Sequence, residues 1–110
     1  MNLNSALTEN VVAIESGELR SRLSIAFAIH GDEMDDVARA RMEEALSQGS
    51  AVPMAVAAMD ALASCSEKIG PILRARLVET ADLIARYDFF GRGADAATIA
   101  QSERLKFGGE

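Results

Sequence analysis

Apolar residues recur every three or four positions along most of this chain, and glycines interrupt the pattern at intervals. This spacing is typical of amphipathic helices, in which positions i, i+3, i+4 and i+7 share one face. No stretch alternates apolar and polar residues over the length of a strand, and no Asn-Gly or Asp-Gly dipeptide favours a hairpin. The pattern therefore predicts an all-α protein.

Capping residues and helix breakers divide the pattern. Four helices are predicted between them, over residues 5–29, 33–48, 51–69 and 71–89. Asp32 is expected to cap the second helix, Gly70 to end the third in a left-handed conformation, and Pro71 to begin the fourth. A shorter and weaker helix is expected over 96–105, and residues 108–110 are expected to be disordered. Because short connections make sequential helices antiparallel, we expect one domain over residues 1–110. Its predicted fold is an antiparallel up-down four-helix bundle with a possible short C-terminal fifth helix.

The third predicted helix has an unusually wide apolar surface. Its apolar residues cover roughly 200° of the helix, about twice the arc that a surface helix needs. Its polar edge is narrow and consists of Asp60, Ser64, Glu67 and Lys68. Such a helix has to be covered by the rest of the chain or by a second chain.

The first predicted helix is apolar along two lines. One line has near-heptad spacing. The other lies on a different side of the helix and consists of Val12, Leu19, Leu23, Ala26 and Phe27. A helix that is apolar on two sides needs two neighbours, of which one can be a partner chain. The first line and part of the third helix give a candidate dimer or core surface: Leu7, Val11, Ile14, Ile25, Ile29, Met54, Ala58 and Cys65.

Polar residues interrupt the first line between Ile14 and Ile25. Glu18 and Arg22 are four residues apart and can pair on a helix. Together with Arg74 and Arg76 they form a candidate internal polar site for an anionic small molecule, since arginine binds carboxylates in a bidentate manner. The alternative is a solvated stretch where a long helix leaves the core.

An aromatic segment at the end of the fourth predicted helix is a candidate for partner binding. Tyr87, Phe89, Phe90 and Arg92 combine the residue types that are enriched at interface hot spots. The alternative is that the phenylalanines close the end of the bundle.

Composition narrows the function. The net charge of −6 disfavours nucleic acid as a partner. The longest low-charge run is far shorter than the ~20 residues that span a bilayer. The chain has one cysteine, Cys65, and one histidine, His30, so that no metal site, cofactor or catalytic residue is predicted. With no secretory signal pattern at the start, we expect a cytoplasmic protein.

These observations favour a non-enzymatic helical interaction protein. In size, charge and helix count the chain is similar to small bacterial chaperones, adaptors and anti-activators, although no motif assigns it to one of them. We expect it to bind another protein or a second copy of itself by packing helix faces, as a homodimer. One alternative is a small helical-bundle enzyme or binder of an anionic small molecule. Another is an inhibitor or structural adaptor of a phage or mobile element.

Overall fold

The computed structural model describes residues 3–48, 51–87 and 93–107, with the backbone alone for residues 3–16, 51, 52, 84 and 87. Within these ranges the chain is helical and contains no strand, which confirms the all-α prediction. Two short 3₁₀ turns, Gly31–Glu33 and Ser66–Lys68, join successive helices. The five α-helices are α1 (Leu3–His30), α2 (Asp36–Gln48), α3 (Ala51–Cys65), α4 (Pro71–Tyr87) and α5 (Gly93–Phe107).

Helix α4 lies at the centre of a helical bundle. It packs against α1, α3 and α5, while α2 packs against α3. Helices α4 and α5 run antiparallel. Asp82 of α4 pairs with Arg104 of α5, whereas Arg74, two turns earlier on α4, lies over the ring of Phe107, further along α5. The predicted helical bundle is therefore confirmed, with five α-helices in the described residues.

The same chain covers the wide apolar surface of α3. Helices α1, α2, α4 and α5 all contact α3. Its buried side chains belong to one continuous core with those of α1, α2, α4 and α5. They are Met54, Ala55, Ala57, Ala58, Met59, Ala61, Leu62 and Cys65. No second chain is required to cover this part of α3.

Helix α5 is longer than predicted. It begins at Gly93 rather than at residue 96 and has 15 residues. Gly93, Ala96 and Ala100 are buried. Small residues at spacings of three and four allow the backbone of α5 to approach its neighbours closely. This packing supplies most of the stability of a helix whose own pattern is weak.

The start of α2 and the end of α3 differ from the predictions. Asp35, and not Asp32, caps α2, because its Oδ1 accepts the Ala38 N–H at 3.0 Å. Helix α3 ends at Cys65, and the next three residues form the 3₁₀ turn. Ile69 is extended, with φ −86° and ψ 129°. Gly70 follows it and precedes Pro71, a position where the α conformation is disfavoured.

Gly70 is in close contact with Glu33 and does not adopt a left-handed conformation. Its φ lies outside the left-handed range, contrary to the prediction. The Gly70 N–H donates to Glu33 Oε1 at 2.7 Å. A Cβ atom at this position would lie 3.0 Å from the same oxygen. The carboxylate of Glu33 thus joins the α1–α2 turn to the α3–α4 turn at one end of the bundle.

Candidate functional site

Three isoleucines form an exposed apolar surface between α1 and α4. Ile25 and Ile29 of α1 are 64% and 67% exposed, and Ile72 of α4 is 57% exposed. Together they line an open groove of about 310 Å³. We call this surface the isoleucine face. Helical spacing explains it, because Leu23 and Ala26 point into the core and leave Ile25 and Ile29 on the outer side.

Two arginines and one glutamate border one end of the isoleucine face. Arg76 Nη1 donates to Glu79 Oε1 at 2.6 Å, and Arg22 Nε lies 3.5 Å from Glu79 Oε2. Both arginines line the same groove as the isoleucines. Since one carboxylate serves two guanidinium groups, this end of the face carries a local positive charge.

The other end of the face leads into the acidic turn between α1 and α2. His30 lines the groove, and its Nδ1 lies 3.0 Å from Glu33 Oε2. Asp32 is exposed in the same turn and shares a second groove with Ile29. Asp36, at the start of α2, is fully exposed and lies 3.9 Å from Arg39, so that, among the described residues, the carboxylates of this end outnumber its one arginine. The isoleucine face therefore has a basic end and an acidic end.

A second cluster of charged residues lies on another side of α4 and is buried. Arg74 is 12% exposed and Glu103 of α5 is 4% exposed, with Arg74 Nε 3.7 Å from Glu103 Oε1. Ser66 donates a hydrogen bond to the same Glu103 oxygen, and the Arg74 guanidinium lies 3.5 Å from the centre of the Phe107 ring. These contacts join the 3₁₀ turn after α3 to α4 and α5 in one polar cluster.

Arg74 also binds the turn that connects α3 to α4. One of its terminal nitrogens donates to the Ser66 carbonyl at 2.9 Å and to the Ile69 carbonyl, which both follow the end of α3. A guanidinium group is a strong donor, so these contacts hold the turn carbonyls against α4. The cavity beside Arg74 measures about 180 Å³, which is smaller than the ~300 Å³ of the smallest typical ligand pockets.

The residues of the predicted internal polar site do not converge on one place. Glu18 and Arg22 are exposed on α1. Arg22 and Arg76 share Glu79, whereas Arg74 pairs with Glu103. The stretch around Glu18 therefore corresponds to the alternative, a solvated part of a long helix.

The predicted dimer or core surface divides into two parts. Met54, Ala58 and Cys65 belong to the core, and the Cys65 thiol donates to the Ala61 carbonyl. Ile25 and Ile29 are exposed. The side chains of Leu7, Val11 and Ile14 lie outside the described residues.

The predicted aromatic site also lies outside the described part of the chain. Only the backbone of Tyr87 is described, and Phe89, Phe90 and Arg92 fall between α4 and α5 in residues that are not described. The same holds for the tail at 108–110. The aromatic site thus remains a prediction.

The sequence pattern missed three residues that shape these sites. Ile72 lies one position away from the apolar stripe of α4. It is four residues before Arg76, and this spacing places both side chains on the groove side of the helix. The sequence pattern places Glu79 on the outer side of α4, and in the structure it pairs with two arginines. Glu103 is buried although a lone glutamate in a weak helix gives no signal of burial.

None of the helices in the described ranges is sufficiently long and apolar to cross a membrane. Comparison of the chain with protein-family models, curated proteins and solved structures finds no match.

Proposed function

We propose that this chain is a protein–protein interaction module that binds a helix of its partner along the isoleucine face. One observation carries the proposal: three large aliphatic side chains, each more than half exposed, line a single groove between two helices. Scattered exposed apolar residues are normal on soluble proteins, whereas contiguous ones are typical of interaction sites.

The surroundings of the groove support this function. Other helices of the same chain cover the wide apolar surface of α3, so a partner has no access to it. Other large apolar residues with high exposure, such as Val37 of α2 and Leu105 of α5, do not line this groove. An apolar groove between two helices fits the apolar side of a third helix, with anchors at spacings of three and four.

Photo-crosslinking at the groove tests the proposal. A photoreactive amino acid replaces Ile72 in one variant and Leu105 in a matched control, and both chains are irradiated in cells that naturally produce the protein. We expect a discrete adduct from position 72 and none from position 105. The added change Ile29→Glu should remove the adduct, because it places a charge in the apolar contact, whereas Val37→Glu should leave it.

The outcome is decisive for this face. Equal crosslinking at positions 72 and 105, or an adduct that survives Ile29→Glu, would refute the proposal. The mass of the adduct identifies the type of partner: twice the chain mass of 11.7 kDa indicates a second copy, and any other value indicates a different protein.

A further inference from the structure

We infer that the partner at the isoleucine face is a second copy of this chain, with the two α1 helices antiparallel about a two-fold axis between Ile25 and Ile29. This inference rests on the proposed function, because it names the partner that occupies the same face. Two-fold dimers bring one surface patch into contact with itself, so the patch must be self-complementary. The isoleucine face meets this condition in both its apolar and its charged residues.

The apolar residues match across the axis. Ile25 and Ile29 are one helical turn apart, which is about 6 Å along α1. In an antiparallel arrangement Ile25 of one copy lies level with Ile29 of the second copy, and the reverse contact follows from symmetry. Ile72 lies beside this pair on α4 and extends the apolar contact of each copy.

The charged residues match in the same register. Arg22 precedes Ile25 by three residues on α1, and Asp32 lies in the 3₁₀ turn that directly follows α1 beyond Ile29. The register that aligns the isoleucines therefore brings Arg22 of one copy towards the turn of the other copy that carries Asp32, at two symmetric positions. Both side chains are available, since Arg22 is about half exposed and Asp32 is exposed.

The orientation follows from the two charged ends of the face. Antiparallel packing places the basic end, with Arg22 and Arg76, against the acidic turn of the other copy. Parallel packing would place like charges together, which disfavours association. The net charge of −6 opposes self-association in general, so contact between two copies needs an arrangement in which opposite local charges meet.

Sedimentation equilibrium of the purified chain tests the inference by exchange of charges. We expect a reversible dimer at micromolar concentrations. Arg22→Glu and Asp32→Lys should each weaken the dimer by about tenfold or more, because each creates two pairs of like charges. The double variant should recover most of the lost affinity, since the opposite charges meet again. Arg41→Glu makes the same charge change on an exposed part of α2 away from the face, and should have little effect.

The outcomes distinguish a failure of the inferred dimer from a failure of the proposed function. Circular dichroism checks that every variant retains its helices. A purified chain that remains a monomer overturns the inference, and a crosslinked adduct of another mass at position 72 would still support the proposed function. A dimer that both charge changes leave intact, or that the double variant fails to restore, also overturns the inferred arrangement.

Discussion

Arg74 and Arg76 are two residues apart on α4, and their environments differ. Arg74 is 12% exposed, contacts the buried Glu103 together with Ser66 and Phe107, and joins α4 to α5 and to the turn after α3. Arg76 is one-third exposed and shares Glu79 with Arg22 at the border of the isoleucine face. Arg74 is therefore expected to stabilise the fold, whereas Arg76 is accessible to a binding partner.

The contribution of each cluster to the free energy of unfolding is expected to depend on its burial. A charge removed from water depends on its partner, and the loss of that partner leaves an uncompensated charge. An exposed pair competes with water and salt, and contributes little. Substitutions in the two clusters test whether this difference holds, and a substitution at Gly70 gives an intermediate case; they are taken from the largest expected effect to the smallest.

The largest effect is expected at the buried cluster. Glu103→Ala should lower the free energy of unfolding by about 3 kcal/mol, because Arg74 then keeps its carbonyl acceptors but loses its only described countercharge. Urea denaturation followed by circular dichroism measures this value. A change below about 1 kcal/mol would remove the distinction between the two clusters.

A double-mutant cycle identifies the source of that effect. Arg74→Met and Glu103→Leu replace the two charges separately and then together. The combined loss should be smaller than the sum of the single losses, because the double variant leaves no unpaired buried charge. Strict additivity would indicate that Arg74 and Glu103 act through other neighbours, such as the carbonyls of the turn after α3.

An intermediate effect is expected where the two turns meet at the end of the bundle. Gly70→Ala should lower the free energy of unfolding by about 1–2 kcal/mol, because the new Cβ displaces the Glu33 carboxylate from the Gly70 N–H. In a Glu33→Ala background the same substitution should have little cost, since nothing is displaced. Chemical denaturation of the four chains gives the comparison, and an equal cost in both backgrounds would contradict this explanation.

The smallest effect is expected at the exposed cluster. Glu79→Ala should change the free energy of unfolding by less than about 1 kcal/mol, because the arginines that lose their partner remain accessible to water. Denaturation at low and high salt measures the change. A loss as large as that of Glu103→Ala would show that Arg22 and Arg76 are structural rather than available for a partner.

The sequence pattern predicted most of the fold because it records which helix sides are apolar. Pro71 begins α4 as expected, and Leu19, Leu23 and Ala26 of the second apolar line enter the core. The first line leaves Ile25 and Ile29 outside. Periodicity alone thus indicated that α1 has two apolar sides.

Periodicity could not predict how charged residues are distributed among tertiary contacts. Arg74 and Arg76 look equivalent in the sequence, and only the position of α5 makes one of them buried. The extent of α5 was underestimated for the same reason, because Gly93, Ala96 and Ala100 give almost no apolar signal until another helix lies against them. Close packing of small residues depends on the neighbour as much as on the helix.

The arrangement of α5 also has a consequence for the chain during its synthesis. Helix α5 covers parts of α3 and α4 that precede it in the sequence. Because α5 follows both helices in the chain, these sides of α3 and α4 have no cover from it until α5 has been synthesised and has packed against them. Until then they are open to other newly made chains.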